Sequence, residues 1–364
     1  MKNALIITFI SIFIFACKKN GSFPYLQDTV CKANDQVKSP KGYSLTQLTQ
    51  IEFKGSFKNI HFFDENTGFL YGNNIFGGYP DIFKTEDGGK TWKNLNAKIS
   101  ENPISIVFKN TDLGFISISD SKGCPSNCQN RCLLMITEDG GKTWKKNEYT
   151  DYKGQLHHIQ FDEKGNLYAT LSSYEKSIQT LKMLKSINDG KSWDVLYESS
   201  DLNFTHINFS FLLRKDKLYI AGKLGKIIVI DTKGKFLETL ETGQKYIYPL
   251  TISSDDTYLM DGYEGLTKSI DGGKTWKKIT SQYTKTLDFK SFDNGLVVMN
   301  EDYCGQYDAP NSVDVIAYTK DGGLTWSKSE EIRDMVNSYV DSYKMADGRL
   351  IFVIGLKVFE LKEQ

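Results

Sequence analysis

Three evenly spaced cysteines, Cys124, Cys128 and Cys132, lie in one polar segment and could bind a metal ion or form disulfides. The C-x3-C-x3-C spacing differs from that of common zinc sites, and no nearby histidine completes four ligands. Disulfide pairing that also draws on Cys31 and Cys304 is therefore the favoured interpretation, with no metal and no cofactor. With Cys17 set aside, the other five of the six cysteines leave one thiol over, and spacing does not determine which ones pair.

Aromatic and acidic residues in long connections between predicted strands form a second group of candidates. These residue types suit a sugar or a protein partner, although loop tyrosines equally often only pack the loop. The candidate binding residues are Phe76, Tyr79, Asp120, Tyr174, Asp302, Tyr303, Tyr307 and Asp308.

No set of residues indicates catalysis. The four histidines, His61, His157, His158 and His206, lie on or beside predicted inner strands but occupy no common repeat position, so they predict no metal ring. No glycine-rich phosphate loop leads from a strand into a helix. We assign no catalytic residue, and an enzyme is the less favoured class.

The strands that position these residues can be found from a repeated motif that ends in tryptophan. All five tryptophans end the same eight-residue motif, as in Thr85–Trp92, so the chain is a repeat protein. The first hydroxyl and the third-position acid or amide can bond turn N–H groups, glycine supplies positive φ, and the tryptophan plugs the next strand. We predict a structural role for these residues in strand-turn-strand hairpins. They are Asp87, Trp92, Asp139, Trp144, Asn188, Trp193, Asp271, Trp276, Asp321 and Trp326.

A second repeat, a strand, a polar turn and another strand, runs in step with the first. It occurs seven times at spacings of 39 to 53 residues, around Gly68, Gly114, Gly165, Asp216, Asp256, Gly295 and Gly348. Four-stranded propeller blades have periods of this size. The sequence thus predicts an all-β fold, a single seven-bladed β-propeller. Six or eight blades remain alternatives because the fourth unit, around Ile227–Phe236, has no tryptophan motif.

The seventh unit ends after its third strand, near Leu361. We expect the N-terminal segment 44–53 to supply the missing outer strand, since ring closure removes exposed sheet edges.

The eight-residue motif resembles the Asp-box, or BNR repeat, of sialidases, sortilin-type receptors and photosystem II assembly-factor-like propellers. In those families the box is a structural staple away from the active face, which implies the same here. The best overall resemblance, to the assembly-factor-like propellers, implies a non-enzymatic protein that holds a protein partner. The resemblance to sialidases implies a glycan-binding or glycoside-hydrolysing alternative, with an arginine clamp for the substrate. Against it, the chain has four arginines, and Arg214 and Arg349 lie in turns on the wrong face.

The first residues have the pattern of an export signal. Lys2 precedes an uncharged stretch, Ala4 to Ala16, too short to span a bilayer, and the next residue is Cys17. This resembles a bacterial lipobox, so we expect a lipoprotein signal peptide at 1–16, lipidation of Cys17, a flexible tether over 17–43 and the propeller over 44–364. An ordinary secretory signal is the alternative. The expected location is the cell envelope, lipid-anchored to a membrane.

Overall charge excludes one class of partner. Lys and Arg number 45 and Asp and Glu number 45, so the formal net charge is zero. A nucleic-acid-binding protein normally carries a basic patch that a neutral balance does not predict. We expect a protein partner or a glycan, and no nucleic acid.

Overall fold

The computed structural model describes residues 42–363 with internal gaps. The gaps are 75–79, 98, 100–101, 120–130, 176–177, 201–210, 222–224, 244–249, 254–255, 261–265, 282–283, 290–292, 302–312 and 330–339.

The described chain forms seven antiparallel four-stranded sheets, which we call blades 1 to 7. Strands within a blade are lettered A to D from the inside of the ring outwards. Blade 1 contains β2 (Gly55–Phe62), β3 (Gly68–Asn74), β4 (Asp81–Thr85) and β5 (Lys93–Asn94). Blade 2 contains β6 (Asn102–Phe108), β7 (Gly114–Ser119), β8 (Leu133–Thr137) and β9 (Lys145–Glu148). Blade 3 contains β10 (Gln155–Phe161), β11 (Leu167–Glu175), β12 (Ile178–Ser186) and β13 (Asp194–Ser199).

The remaining blades repeat this order. Blade 4 contains β14 (Phe211–Arg214), β15 (Lys217–Ala221), β16 (Lys226–Asp231) and β17 (Phe236–Glu241). Blade 5 contains β18 (Leu250–Ile252), β19 (Tyr258–Met260), β20 (Thr267–Ser269) and β21 (Lys277–Lys278). Blade 6 contains β22 (Thr284–Phe289), β23 (Gly295–Glu301), β24 (Val313–Thr319) and β25 (Ser327–Lys328). Blade 7 contains β26 (Val340–Lys344), β27 (Leu350–Ile354), β28 (Lys357–Glu363) and, as strand D, β1 (Tyr43–Gln50).

The N-terminal strand closes the ring. β1 pairs with β28 from Tyr43↔Glu363 to Gln50↔Lys357, so the first described strand is the outer strand of the last blade. The predicted seven-bladed propeller and its closure by an N-terminal strand are confirmed, with the strand ending at Gln50. Blade 4 is a complete sheet despite its missing motif, which excludes six or eight blades.

The core lies between blades. Seven clusters of buried apolar side chains each join two neighbouring blades, for example Phe69 of blade 1 with Phe108 of blade 2, whose ring centroids are 3.5 Å apart. Inner strands are tied across the interfaces as well. Ile60 N–H of blade 1 donates to Asp341 Oδ2 of blade 7 at 2.8 Å. Among the described residues, no helix has the length and apolar character needed to cross a membrane.

Candidate functional site

Backbone hydrogen bonds assign the turns to two faces of the ring. The C–D turn bonds to the A–B turn of its own blade, as in Gly88 N–H to Asn66 O at 2.9 Å and Gly140 N–H to Asp112 O at 2.9 Å. Both turn types therefore lie on one face, the motif face. The B–C and D–A connections lie on the opposite face, the loop face.

Side-chain hydrogen bonds hold the motif turn. In blade 1, Thr85 Oγ1 donates to Asp87 Oδ1 at 2.8 Å and accepts from Gly89 N–H at 2.9 Å. Asp87 also accepts from the N–H and hydroxyl of Thr91, at 2.9 and 2.6 Å. Trp92 Nε1–H donates to Gly89 O at 3.0 Å. Because the threonine hydroxyl, both aspartate oxygens and the indole N–H have partners inside the turn, this chemistry explains the motif without a substrate.

The same bonds set the ionisation of the motif aspartates. Hydrogen bonds from the side chain and backbone of Thr143 lower the pKa of Asp139 to about 2. Thr325 lowers the pKa of Asp321 to about 2 in the same way. These carboxylates are stable anionic acceptors, which is the opposite of what a general acid requires.

Blade 3 carries a modified motif. Asn188 Oδ1 accepts from Ser192 N–H at 3.0 Å, and Asn188 Nδ2 donates to Ser192 Oγ at 2.9 Å, so the amide preserves the turn with one bond reversed. In blades 1, 2 and 5 the carbonyl oxygen of the second glycine accepts a hydrogen bond from the motif tryptophan. In blade 3 the equivalent oxygen, Gly190 O, accepts from the Tyr149 hydroxyl of blade 2 instead. The Trp193 indole is buried edge-on to the Tyr149 ring, 6.2 Å between centroids.

The motif also contacts the preceding blade. At the second glycine of the motif φ is positive, and in blades 1, 2, 5 and 6 a Cβ there would meet an aliphatic side chain that follows or belongs to strand D of the neighbour. The distance would be 3.0 Å from Gly141 to Leu95 Cδ1 and 2.2 Å from Gly323 to Ile279 Cγ2. Glycine is required at these positions both by φ and by close packing.

Cations on the motif face bind neighbouring blades. Arg214 donates to the carbonyl oxygens of Ile252 and Ser253 in blade 5, at 3.0 and 2.5 Å. Arg349 of blade 7 pairs with Asp347 and Glu360 and donates to Glu65 O of blade 1 at 3.4 Å. These two arginines therefore fasten the ring, on the face where the sequence placed them.

Three half-buried histidines lie at blade interfaces. Desolvation lowers the pKa of His157 to about 3 and those of His61 and His158 to about 4, so all three are neutral. His157 Nε2 lies 2.6 Å from Ser172 Oγ. No three His, Cys, Asp or Glu side chains of the described residues gather as a metal site requires; His206 lies outside those residues.

Cys132 corrects part of the disulfide prediction. It is a free thiol buried in the apolar core between blades 2 and 3, and burial raises its pKa to about 12. The apolar run that follows it draws it into the core, so it behaves as a small hydrophobic residue. The other predicted cysteines lie outside the described residues, namely Cys17, Cys31, Cys124, Cys128 and Cys304.

The predicted binding residues belong to segments that the described chain mostly omits. Outside it lie Phe76, Tyr79, Asp120, Asp302, Tyr303, Tyr307 and Asp308. Tyr174 lies on β11 near its loop-face end, opposite Gln179, and its side chain is outside the described part.

A cleft that sequence reasoning missed opens on the loop face where blade 7 meets blade 1. It has a volume of about 620 Å³. Its lining residues are Gln50, Ile51, Glu52, Phe53, Lys54, Asp81, Asn94 and Leu356. The sequence indicator would have been the short segment after β1, where the chain leaves blade 7 to begin blade 1.

Comparison with known proteins identifies the fold. No protein-family model matches the chain, and no curated protein matches it. A structure described as YCF48 bound to D1 peptide has 15% identity, covers 88% of this chain and 96% of its own, and has a TM-score of 0.58. YCF48 from Cyanidioschyzon merolae has 13% identity, 88% and 98% coverage, and a TM-score of 0.55. The GH74 xyloglucanase from Xanthomonas campestris has 14% identity and a TM-score of 0.55, with 87% of this chain matching 53% of that one. At these identities the likeness concerns the fold alone.

Proposed function

We propose that this protein is an exported, lipid-anchored propeller that holds a protein partner on its loop face. The observation that carries the proposal is the cleft between blades 7 and 1, which combines a fixed apolar floor with polar walls.

The floor of the cleft is rigid. Phe53 stacks on Phe57 with ring centroids 5.3 Å apart and meets Phe83 edge-on at 5.6 Å. Ile51 N–H donates to Leu356 O at 3.0 Å, which fixes the connecting segment to blade 7. A preformed apolar surface reduces the ordering entropy that binding must overcome.

The walls supply hydrogen-bonding groups. Gln50, Glu52 and Lys54 are exposed, while Asp81 and Asn94 are half-buried at the ends of strands β4 and β5. Carboxylates, an ammonium group and amides around an apolar floor fit a short extended peptide, whose backbone and side chains present both kinds of surface.

The fold comparison supports a peptide ligand by analogy, because one similar propeller is described as bound to a peptide. A photocrosslinking amino acid placed at Glu52 or Lys54 tests the proposal in intact cells. We expect a discrete crosslinked partner from both positions and none from Lys142, an exposed residue of the motif face. Equal crosslinking at all three positions would contradict binding on the loop face.

The anchor is tested separately. Cys17→Ser should prevent lipidation and release the protein from membranes, with the fold intact, because the chain would lose its acyl attachment. Retention after a carbonate wash would indicate an uncleaved N-terminal helix instead.

The alternative function is glycan binding or glycoside hydrolysis. The aromatic and acidic residue types of the predicted binding loops favour it, since sugars stack on aromatic rings and carboxylates serve hydrolysis. Turnover of fluorogenic glycosides that Asp302→Asn or Asp308→Asn abolishes, and Asp87→Asn leaves intact, would establish this alternative.

A further inference from the structure

Three copies of the eight-residue motif expose an aliphatic side chain where other copies carry a charge. Ile187, Ile270 and Leu324 are 71%, 65% and 79% exposed. Ile187 and Ile270 occupy the position of Glu86, and Leu324 that of Lys90. Large aliphatic residues this exposed in three copies of one turn motif form a pattern that single surface hydrophobics do not.

The turns hold these side chains outwards. Ser269 Oγ donates to Asp271 Oδ1 at 2.7 Å and accepts from Gly273 N–H at 2.8 Å, on either side of Ile270. Blade 4 lacks the motif, but Phe236 directly follows its C–D turn and is 51% exposed. Blades 3 to 6 thus each present an apolar side chain at or next to the outer turn of the motif face, which we call the apolar rim: Ile187, Phe236, Ile270 and Leu324.

The apolar rim lies among lysines. The outer turns of blades 3 to 6, counted from the last residue of strand C to the second residue of strand D, carry eight exposed lysines against five aspartates and no glutamate. The lysines are Lys191, Lys233, Lys235, Lys274, Lys277, Lys278, Lys320 and Lys328. Two of these aspartates have side-chain partners, Asp321 with Thr325 and Asp189 with Lys109. The outer rim of these blades is therefore basic and apolar together.

The chain enters the propeller on the same face. Tyr43, the first residue of β1, packs edge-on against Tyr318 of blade 6, with ring centroids 4.6 Å apart. A side chain at Gly42 would begin 3.8 Å from Lys320 Nζ, next to the blade 6 motif. An anchor at Cys17 would therefore join the body of the protein beside the apolar rim.

We infer that the apolar rim and its lysines dock on the anionic surface of a lipid bilayer. Aliphatic and aromatic side chains enter the headgroup boundary, and lysines attract anionic lipids, so each feature strengthens the other. The loop face then points away from the membrane, towards the proposed partner. The inference rests on the proposed anchor only for the position of the tether, because the surface chemistry belongs to the propeller itself.

Sedimentation with vesicles tests the surface without the anchor. The chain from Val37 to Gln364 forms one compact unit that contains every strand of the closed ring, so it should fold without the lipidated cysteine. We expect it to sediment with phosphatidylcholine vesicles that contain phosphatidylglycerol and not with phosphatidylcholine alone, and to be released by high salt. The triple variant Ile187→Ser, Ile270→Ser and Leu324→Ser should bind about tenfold more weakly.

A matched pair of lysines provides the control. Lys274 and Lys142 occupy the same motif position in blades 5 and 2, and both are exposed. Lys274→Glu should weaken vesicle binding several-fold, roughly as expected for one reversed charge near the surface, and Lys142→Glu should not. Absence of phosphatidylglycerol-dependent binding, equal loss in both lysine variants, or wild-type binding by the triple serine variant would each overturn the inference. Failure of the anchor would appear only in the Cys17→Ser fractionation, so the two results are distinguishable.

Discussion

Replacing Trp193 by alanine should lower the free energy of unfolding by roughly 3–5 kcal/mol, the range for deletion of a large buried aromatic. The Trp193 side chain is 5% exposed and belongs to the apolar core between blades 2 and 3. Trp92 is only half-buried, so its side chain loses less contact with water on folding than that of Trp193. Trp92→Ala should therefore lower the free energy of unfolding by about 2–3 kcal/mol. Trp92→Phe keeps an aromatic ring in place of the indole and loses the hydrogen bond to Gly89 O, which amounts to about 1 kcal/mol.

Thermal melts convert this order into temperatures. A ring of roughly 320 residues has an unfolding entropy of about 0.7 kcal/mol/K, so each kcal/mol lowers the midpoint by about 1.5 °C. We expect decreases of about 6 °C for Trp193→Ala, about 4 °C for Trp92→Ala and about 1.5 °C for Trp92→Phe. As a control, Tyr307→Ala in the blade 6 loop should leave the midpoint within about 1 °C. Unchanged melting in both alanine variants of tryptophan would refute the structural role assigned to the motif.

Three further predictions use glycine packing and ionisation. Gly323→Ala should lower the free energy of unfolding by about 2–4 kcal/mol, and Gly272→Ala should lower it by about 1 kcal/mol. Both glycines have positive φ, but only at Gly323 would a Cβ lie against Ile279. Urea denaturation of the two variants compares these values. His157 has a pKa of about 3 in the folded protein and near 6.5 in the unfolded chain, so the free energy of unfolding falls as pH drops from about 6.5 towards 3. His157→Gln should reduce this dependence in denaturation curves recorded across that pH range. Asp139 has a folded pKa of about 2, below its unfolded value near 4, so its contribution is lost as pH falls between those values; a wild-type slope in Asp139→Asn would contradict this.

Sequence periodicity was sufficient to predict the architecture because the hairpins of a blade are encoded by residues that are close together in the chain. The motif residues bond one another within four positions, as Asp87 does with Thr91, so a turn is determined by adjacent residues. The missing fourth strand of blade 7 was predictable for a different reason, since an incomplete last unit requires closure by another segment.

Contacts between blades were not predictable in the same way. Arg349 and Glu65 are 284 positions apart, and no local pattern marks the pair. Cys132 illustrates the difficulty at the candidate site: regular spacing with Cys128 favoured pairing, while the buried run after it placed the thiol in the core. The cleft was missed because its residues come from four separate segments, around Phe53, Asp81, Asn94 and Leu356.

The two faces differ in where contacts between neighbouring blades lie. On the motif face, hydrogen bonds such as Arg214 to Ile252 O, and packing such as Ile279 on Gly323, join one blade to the next. Inner-strand bonds such as Ile60 N–H to Asp341 hold the centre. Connections on the loop face can therefore vary in length without breaking these contacts between blades. Their lengths do vary, from the short Gly355–Leu356 turn to the long segment between β23 and β24. A partner site on that face can diversify while the motif face, fixed by its own bonding, remains available for the proposed docking on a membrane.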